Sequence, residues 1–425
     1  MTSRLLAGVT ALEACEVWAG PMAGSILGDL GAQVVKVESY PRSSMTRPLG
    51  VAAGAQGSVI SDDDGPPYEL SGIHHLANRN KRNVAIDIRS ESGSEAMRRL
   101  IASCDLFFEG YSAGTMERLG FGWDEVHALN PRAVMISMPG WGVEGPYRGY
   151  VTLGSGLDAG AAHVSVRGNP TRDTGFVQPI FHSDATGALT VVLAAIAGLR
   201  RRDETGEGCF IDMSQIEALT WQLPGVFAEW TMNQRRPERL GNADPHIVPH
   251  GCYRAAGGDT WVTIAAEDDR QWAGLASLIG HAQWADSSDP HSGIVGRLRA
   301  REEIDAAIAA FAARAPAEEV AEQVQAAGAI AAPVVSAPGM LASPQLQSRE
   351  WFETVSHRYA GEKILGGFLW SVEGDEPSWD LPCGLVGEYN HDVLGELGFS
   401  ADEIAALQRD GAIGDRYEVA APPSS

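Results

Sequence analysis

Through roughly the first half of the chain, short β-prone runs alternate with longer stretches whose apolar positions recur every three or four residues. Residues 33–37, 84–88, 106–109, 134–138 and 209–213 predict strands, being short and rich in Val, Ile and Phe. Between them, residues 93–103 place Met97, Leu100 and Ile101 on one face and predict an amphipathic helix. Strands that alternate with helices signal βαβ units, so residues 1–215 predict an α/β fold with a Rossmann-like parallel-sheet large domain.

The pattern then changes. Residues 216–244 read as a linker that includes a helix beginning near Trp221, and residues 245–330 as a smaller α+β domain. In that domain residues 251–253 and 261–265 predict strands around a Gly257-Gly258-Asp259 turn, followed by helices rich in Ala and Leu. Residues 331–425 are irregular, with many Pro and Gly, before C-terminal helices. Residues 61–67 form a polar surface loop by composition.

Composition narrows the function classes. The chain has 425 residues and 44% hydrophobic content, enough for two domains. Its apolar runs fall short of the ~20 residues that span a bilayer, and the opening is too short an apolar lead for a secretory signal, so a cytoplasmic location is expected. Cys15, Cys104, Cys209, Cys252 and Cys383 are scattered, with no C-x-x-C pair, which fits reduced thiols filling cores. A formal net charge of -23 disfavours nucleic acid and anionic membranes as partners, because both draw their binding energy from clustered Lys and Arg.

The candidate chemistry centres on Asp184, just ahead of the apolar run 188–199. An acid at a helix entrance can cap free N–H groups, and the helix dipole then favours its ionised form. An ionised carboxylate is also a candidate nucleophile, and the two roles are compatible. Gly20, Gly24 and Gly28 recur every four residues, which serves either close approach to a ligand or tight packing of a helix on a sheet. No G-x-G-x-x-G follows the first strand, which removes the main support for a nicotinamide cofactor. His246 and His250, four apart, raise a zinc hydrolase as an alternative, but Pro249 breaks the helix they would share and no H-E-x-x-H glutamate is present; no metal site is expected.

Several blocks, taken in order, resemble the class III CoA-transferases, the CaiB/BaiF family. They are residues 19–38, 78–88, 114–120, 129–132, 145–148, 184–219 and 387–394. The resemblance implies an enzyme that moves CoA from an acyl thioester to a free carboxylic acid, with Asp184 as the catalytic acid that passes through anhydride and aspartyl-CoA thioester intermediates. It implies CoA or acyl-CoA as substrate without a permanently bound cofactor, and an interlocked homodimer whose C-terminal segment packs on the large domain. CoA-binding positions carried across are Trp18, Ala19, Arg42, Ile86, Arg89, Gly110, Tyr111, Ser112, Arg118 and Gly140. Because the chain is acidic overall, arginines and helix N-termini would have to hold the CoA phosphates locally.

The chain departs from the formyl-CoA transferase branch, which has a glutamine at Trp18, an asparagine at Gly110 and a long glycine-rich loop in its small domain. Trp18 in place of an amide points to a bulkier, partly apolar acyl group. The nearest alternative is the α-methylacyl-CoA racemase branch, which pairs an acid with a histidine after the Gly-Pro-Tyr motif. Here residues 149–154 contain none, leaving His163 and His182 as a rearranged pair. A third alternative, a non-catalytic CoA-binding protein, is disfavoured by the presence of Asp184 at the family's position.

Overall fold

The computed structural model describes residues 4–49, 65–173, 181–371, 373 and 379–418, so residues 61–64 of the polar loop lie outside the described residues. Six parallel strands form one sheet: β1 (Thr10–Ala14), β2 (Gln33–Ser39), β3 (Lys81–Ile86), β4 (Leu106–Glu109), β5 (Val134–Ser137) and β6 (Cys209–Asp212). Their order is β3-β2-β1-β4-β5-β6, that of the doubly wound dinucleotide-binding sheet. The register is continuous: Leu12 lies beside Val35 on one side and Phe107 on the other, and Phe107 beside Met135.

Alternation along the strands feeds two separate cores, because successive side chains point to opposite faces. Leu12, Val35, Phe107 and Met135 face a core with Met97, Leu100 and Ile101. Ala11, Val34, Phe108 and Ile136 face another with Ile26, Leu27, Val191 and Leu199. Phe107 and Phe108 are both fully buried, each contributing on the order of 2–3 kcal/mol of burial. Strand β1 was not among the predicted strands. It sits mid-sheet, yet its TALEA sequence carries Glu13, which is 0% exposed and paired with lysines, and so reads as polar.

Three helices matter for the site: α1 (Ala19–Asp29), α2 (Gly154–Gly160) and α3 (His182–Thr205). The glycine repeat in α1 is a packing device. A Cβ at Gly28 would lie 2.7 Å from the Asn80 carbonyl, and Cβ atoms at Gly20 and Gly24 would collide with the Cys15 and Glu13 side chains. Helix α3 has 24 residues and is long and apolar enough to cross a membrane by length and composition, contrary to the expectation from the shorter run 188–199. Here it buries Ala188, Val191, Val192, Ala195 and Leu199 in the second core.

The chain divides into two compact units, 1–163 with 178–225 and 348–425, and 164–177 with 226–347. These boundaries differ from the expected 215, 245 and 330. The helix Gln215–Thr220 packs with α3 and stays with the sheet. In the second unit, β7 (His250–Arg254), β8 (Trp261–Ala265) and β9 (Ile330–Pro333) form an antiparallel sheet, so the unit cannot end at 330. Gly257 and Gly258, at φ +105° and +94°, make the β7–β8 turn that non-glycine residues would resist. In the first unit, β10 (Phe352–His357) and β11 (Gly361–Gly366) pair as a hairpin. The helices Asn390–Glu396 and Ala401–Arg409 contribute Val393, Leu394, Ile404 and Leu407 to the first core.

Candidate active site

The loops after β1, β4, β5 and β6 converge on a cavity of about 500 Å³ at the C-terminal edge of the sheet. Strands β1 and β4 are neighbours from which the chain winds in opposite directions, and this switch point is where open α/β sheets bind ligands. Residues 15–20 follow β1, Gly110–Ser112 follow β4 and Met138–Gly140 follow β5, while Gln215 follows β6 and donates to the Met138 carbonyl at 2.8 Å. Phe181 and Asp184 enter from the start of α3.

Asp184 is not the helix cap. It is the third residue of α3, Phe181 occupies the N-cap position without a side-chain bond, and the Ser183 N–H donates to Asp158 Oδ1 of α2 at 3.2 Å. With Asp158 taking that end of the helix, the Asp184 carboxyl instead accepts the backbone N–H of Ala19, the first residue of α1. Nor is its charge favoured as expected. Burial raises the pKa from 3.8 to about 6, the Asp158 carboxylate adds to the rise, and the Ala19 N–H opposes both. The carboxylate is therefore ionised at neutral pH but poorly solvated, the state of a poised nucleophile.

Glu16 also lines the cavity, yet its carboxylate is occupied by the Ser39 hydroxyl at 2.6 Å and by Arg42. Trp18, at φ +31°, holds a backbone conformation that costs a bulky residue about 1–3 kcal/mol, and its ring meets Phe181 edge-on at 6.5 Å. Gly154, at the start of α2, abuts Asp184 so closely that a Cβ would strike its Oδ2. Beneath the loop after β4, Glu109 accepts the Tyr111 N–H at 2.8 Å and the Ser137 hydroxyl; burial lifts its carboxyl to about 7 against these bonds.

Of the residues singled out from sequence, Trp18, Ala19, Gly110, Tyr111, Ser112, Gly140 and Asp184 meet in this cavity. Four do not. Arg89 and Arg118 line a separate recess of about 400 Å³ with Arg98 and Ser94. Arg42 is two-thirds exposed beside Glu16. Ile86 is 1% exposed in the sheet core, where strand β3 turns its side chain inward. Sequence reading missed Asp158, Phe181, Tyr150 and Gln215. Only Gln215 carried a usable signal, its place just past a predicted strand; Asp158 stands alone among small residues.

The histidine alternatives find no footing here. The rings of His163 and His182 lie tilted at 40° with centroids 4.7 Å apart, but neither lines the cavity. His250 opens β7 and donates from Nδ1 to the Asn242 carbonyl at 2.6 Å, so it shares no helical face with His246.

The sequence matches the family described as CoA-transferase family III over residues 6–382. It is 28% identical over 407 residues to the succinyl-CoA–D-citramalate CoA-transferase of Chloroflexus aurantiacus, covering 95% of this chain and 97% of that one. It is 30% identical to an acyl-CoA transferase of Fusarium pseudograminearum, covering 96% and 88%. In fold it is similar to the crystal structure of a CaiB/BaiF family protein from Brucella suis, with a TM-score of 0.82, 24% identity, and 93% and 100% of the two chains covered.

Proposed function

We propose a catalytic role for Asp184 from one premise: the chain belongs to CoA-transferase family III. It is a CoA-transferase, and its substrates are acyl-CoA thioesters and carboxylic acids. The observation that carries the assignment is the setting of Asp184 in the switch-point cavity, desolvated and held by the helix-terminal N–H of Ala19, while Glu16 is occupied elsewhere.

In the proposed course, an Asp184 oxygen attacks the thioester carbonyl, and the C–S bond breaks to give a mixed anhydride and CoA thiolate. The thiolate attacks the aspartyl carbonyl, releasing the donor acid and leaving an aspartyl-CoA thioester. The acceptor carboxylate attacks that carbonyl and expels the thiolate, forming a second anhydride. The thiolate then attacks the acceptor's acyl carbon, giving the product thioester and restoring Asp184. Overall one thioester replaces another of similar energy, while the anhydrides between them lie higher, so the enzyme's task is to reach them by proximity and desolvation. The cavity's Trp18, Phe181, Met138, Leu157 and Tyr150 support a bulkier, partly apolar acyl group than oxalate.

The recess lined by Arg89, Arg98 and Arg118 supports the phosphate end of CoA. The segment from Gly110 to Arg118 runs from the cavity to this recess, as an elongated thioester requires. We read the assembly as a homodimer, interlocked as the resemblance implies. Leu189, Leu193 and Ile196, exposed at helical spacing on α3, support a partner there. In the same reading the protein works in the cytoplasm, holds no permanent cofactor, and meets neither nucleic acid nor membrane. The test is mass spectrometry of the protein after incubation with candidate acyl-CoAs. A CoA adduct on the Asp184 peptide, absent in Asp184→Asn, is the expected result; CoA exchange by Asp184→Asn at the wild-type rate would refute the assignment.

A further inference from the structure

The turn that aims Ala19 at Asp184 is anchored by charge. We infer that Glu13, Lys36 and Lys81 act together as a positioning clamp that keeps the Trp18–Ala19 turn directed at the reacting carboxylate, an inference that rests on the reading of Asp184 above. Lys36 Nζ donates to the Cys15 carbonyl at 2.7 Å, ahead of the turn. Lys81 Nζ donates to the Pro21 carbonyl at 2.6 Å, after it. The two ammonium groups share one carboxylate, Lys36 on Glu13 Oε1 and Lys81 on Glu13 Oε2, each at 2.7 Å. The five residues between the two anchors include Trp18 and Ala19, so both ends of the turn are tied to a single point on the sheet.

Three observations favour positioning over mere packing. All three side chains are at most 2% exposed, and a buried ion cluster is commonly no more stable than apolar residues of the same volume, so its presence calls for a geometric role. The clamp spans Trp18, whose positive φ persists only where its surroundings over-determine it. Gly24 of α1 lies over the cluster, and a Cβ there would meet both Glu13 Oε2 and Lys81 Cε, so the helix is shaped around these charges. Lys81 also bonds the Ala77 carbonyl and Asn78 Oδ1, at 2.9 and 3.1 Å, which fixes it from the other side. Burial lowers Lys81 to about 8, only partly offset by Glu13, while Glu13 and Glu38 together hold Lys36 above its ordinary value against the same burial.

The test is steady-state kinetics of Lys36→Met in the full-length protein, with Phe121→Leu, in the core on the other face of the sheet, as a control that loses stability without touching the turn. The expected result is a kcat about tenfold lower with KM for acyl-CoA within about twofold, because misaimed groups cost rate more than binding. Asp184 would also lose the N–H that favours its charged form, so the acid limb of the pH–rate profile moves to higher pH. Lys81→Met, which frees the other end of the turn, is expected to give the same pair of changes and carries the test should Lys36→Met fail to fold. A thermal midpoint lowered as in Phe121→Leu, with kcat and the acid limb unmoved, would overturn the clamp. If Asp184→Asn proves active, the reading beneath it falls first, so the two failures are distinguishable.

Discussion

Asp184→Asn is expected to stabilise the fold at alkaline pH while leaving it unchanged in acid. The folded carboxyl titrates near pH 6 and the unfolded one near 3.8, because burial and Asp158 disfavour its charge. Between these values the native state binds more protons than the unfolded state, so wild-type stability falls as pH rises through the window. A shift of about 2 units at 1.36 kcal/mol per unit gives roughly 3 kcal/mol, and partial solvent access reduces this to about 1–2 kcal/mol. Asparagine keeps an oxygen for the Ala19 N–H and removes the charge. Urea unfolding of both proteins at pH 4 and pH 8, at one protein concentration, measures the difference. The midpoints should coincide near pH 4, and the variant should lead at pH 8. A variant less stable than wild type at pH 8, or a gap independent of pH, would refute the argument that desolvation sets this carboxyl's state.

Other outcomes follow from the same geometry. In a panel of acceptor acids, oxalate should be outpaced by acids with a larger apolar body, and Trp18→Gln should narrow that preference in competition assays. Arg118→Ala should raise KM for acyl-CoA by about tenfold with kcat nearly retained, since losing a charge-assisted contact remote from the reacting carbon removes uniform binding. Gly198→Ala should lower stability by about 1–3 kcal/mol in chemical denaturation, because its methyl would sit 2.6 Å from Val134 Cγ1 in the second core. Leu193→Glu should shift the mass seen by analytical ultracentrifugation toward the monomer if α3 carries the dimer contact.

Periodicity was informative where burial follows residue type. The predicted strands that match β2, β4, β5 and β6 are apolar, and the helix with Met97, Leu100 and Ile101 shows its buried face directly. It failed at β1, where a central strand buries a glutamate that only its lysine partners make tolerable. The same long-range pairing hid part of the site. Asp158 reaches Ser183 across 25 positions, and nothing in the residues around either one signals the contact. Helix capping was the natural expectation for Asp184, but it presumes that the nearest acid serves the helix end; here an acid from another helix does so. The arginines were legible as charges, but their separation from the cavity depends on how the chain turns after Ser112.

The C-terminal helices bear on how the chain reaches its native state. One face of the six-stranded sheet is completed by Val393, Leu394, Ile404, Leu407 and Ile413, some two hundred residues after the last strand of that sheet. During synthesis, all six strands of the sheet and the helix with Met97, Leu100 and Ile101 emerge before these C-terminal side chains, and so does the unit of residues 226–347. A ribosome stalled at residue 380 would therefore leave the part of the first core that these helices close open to chaperones.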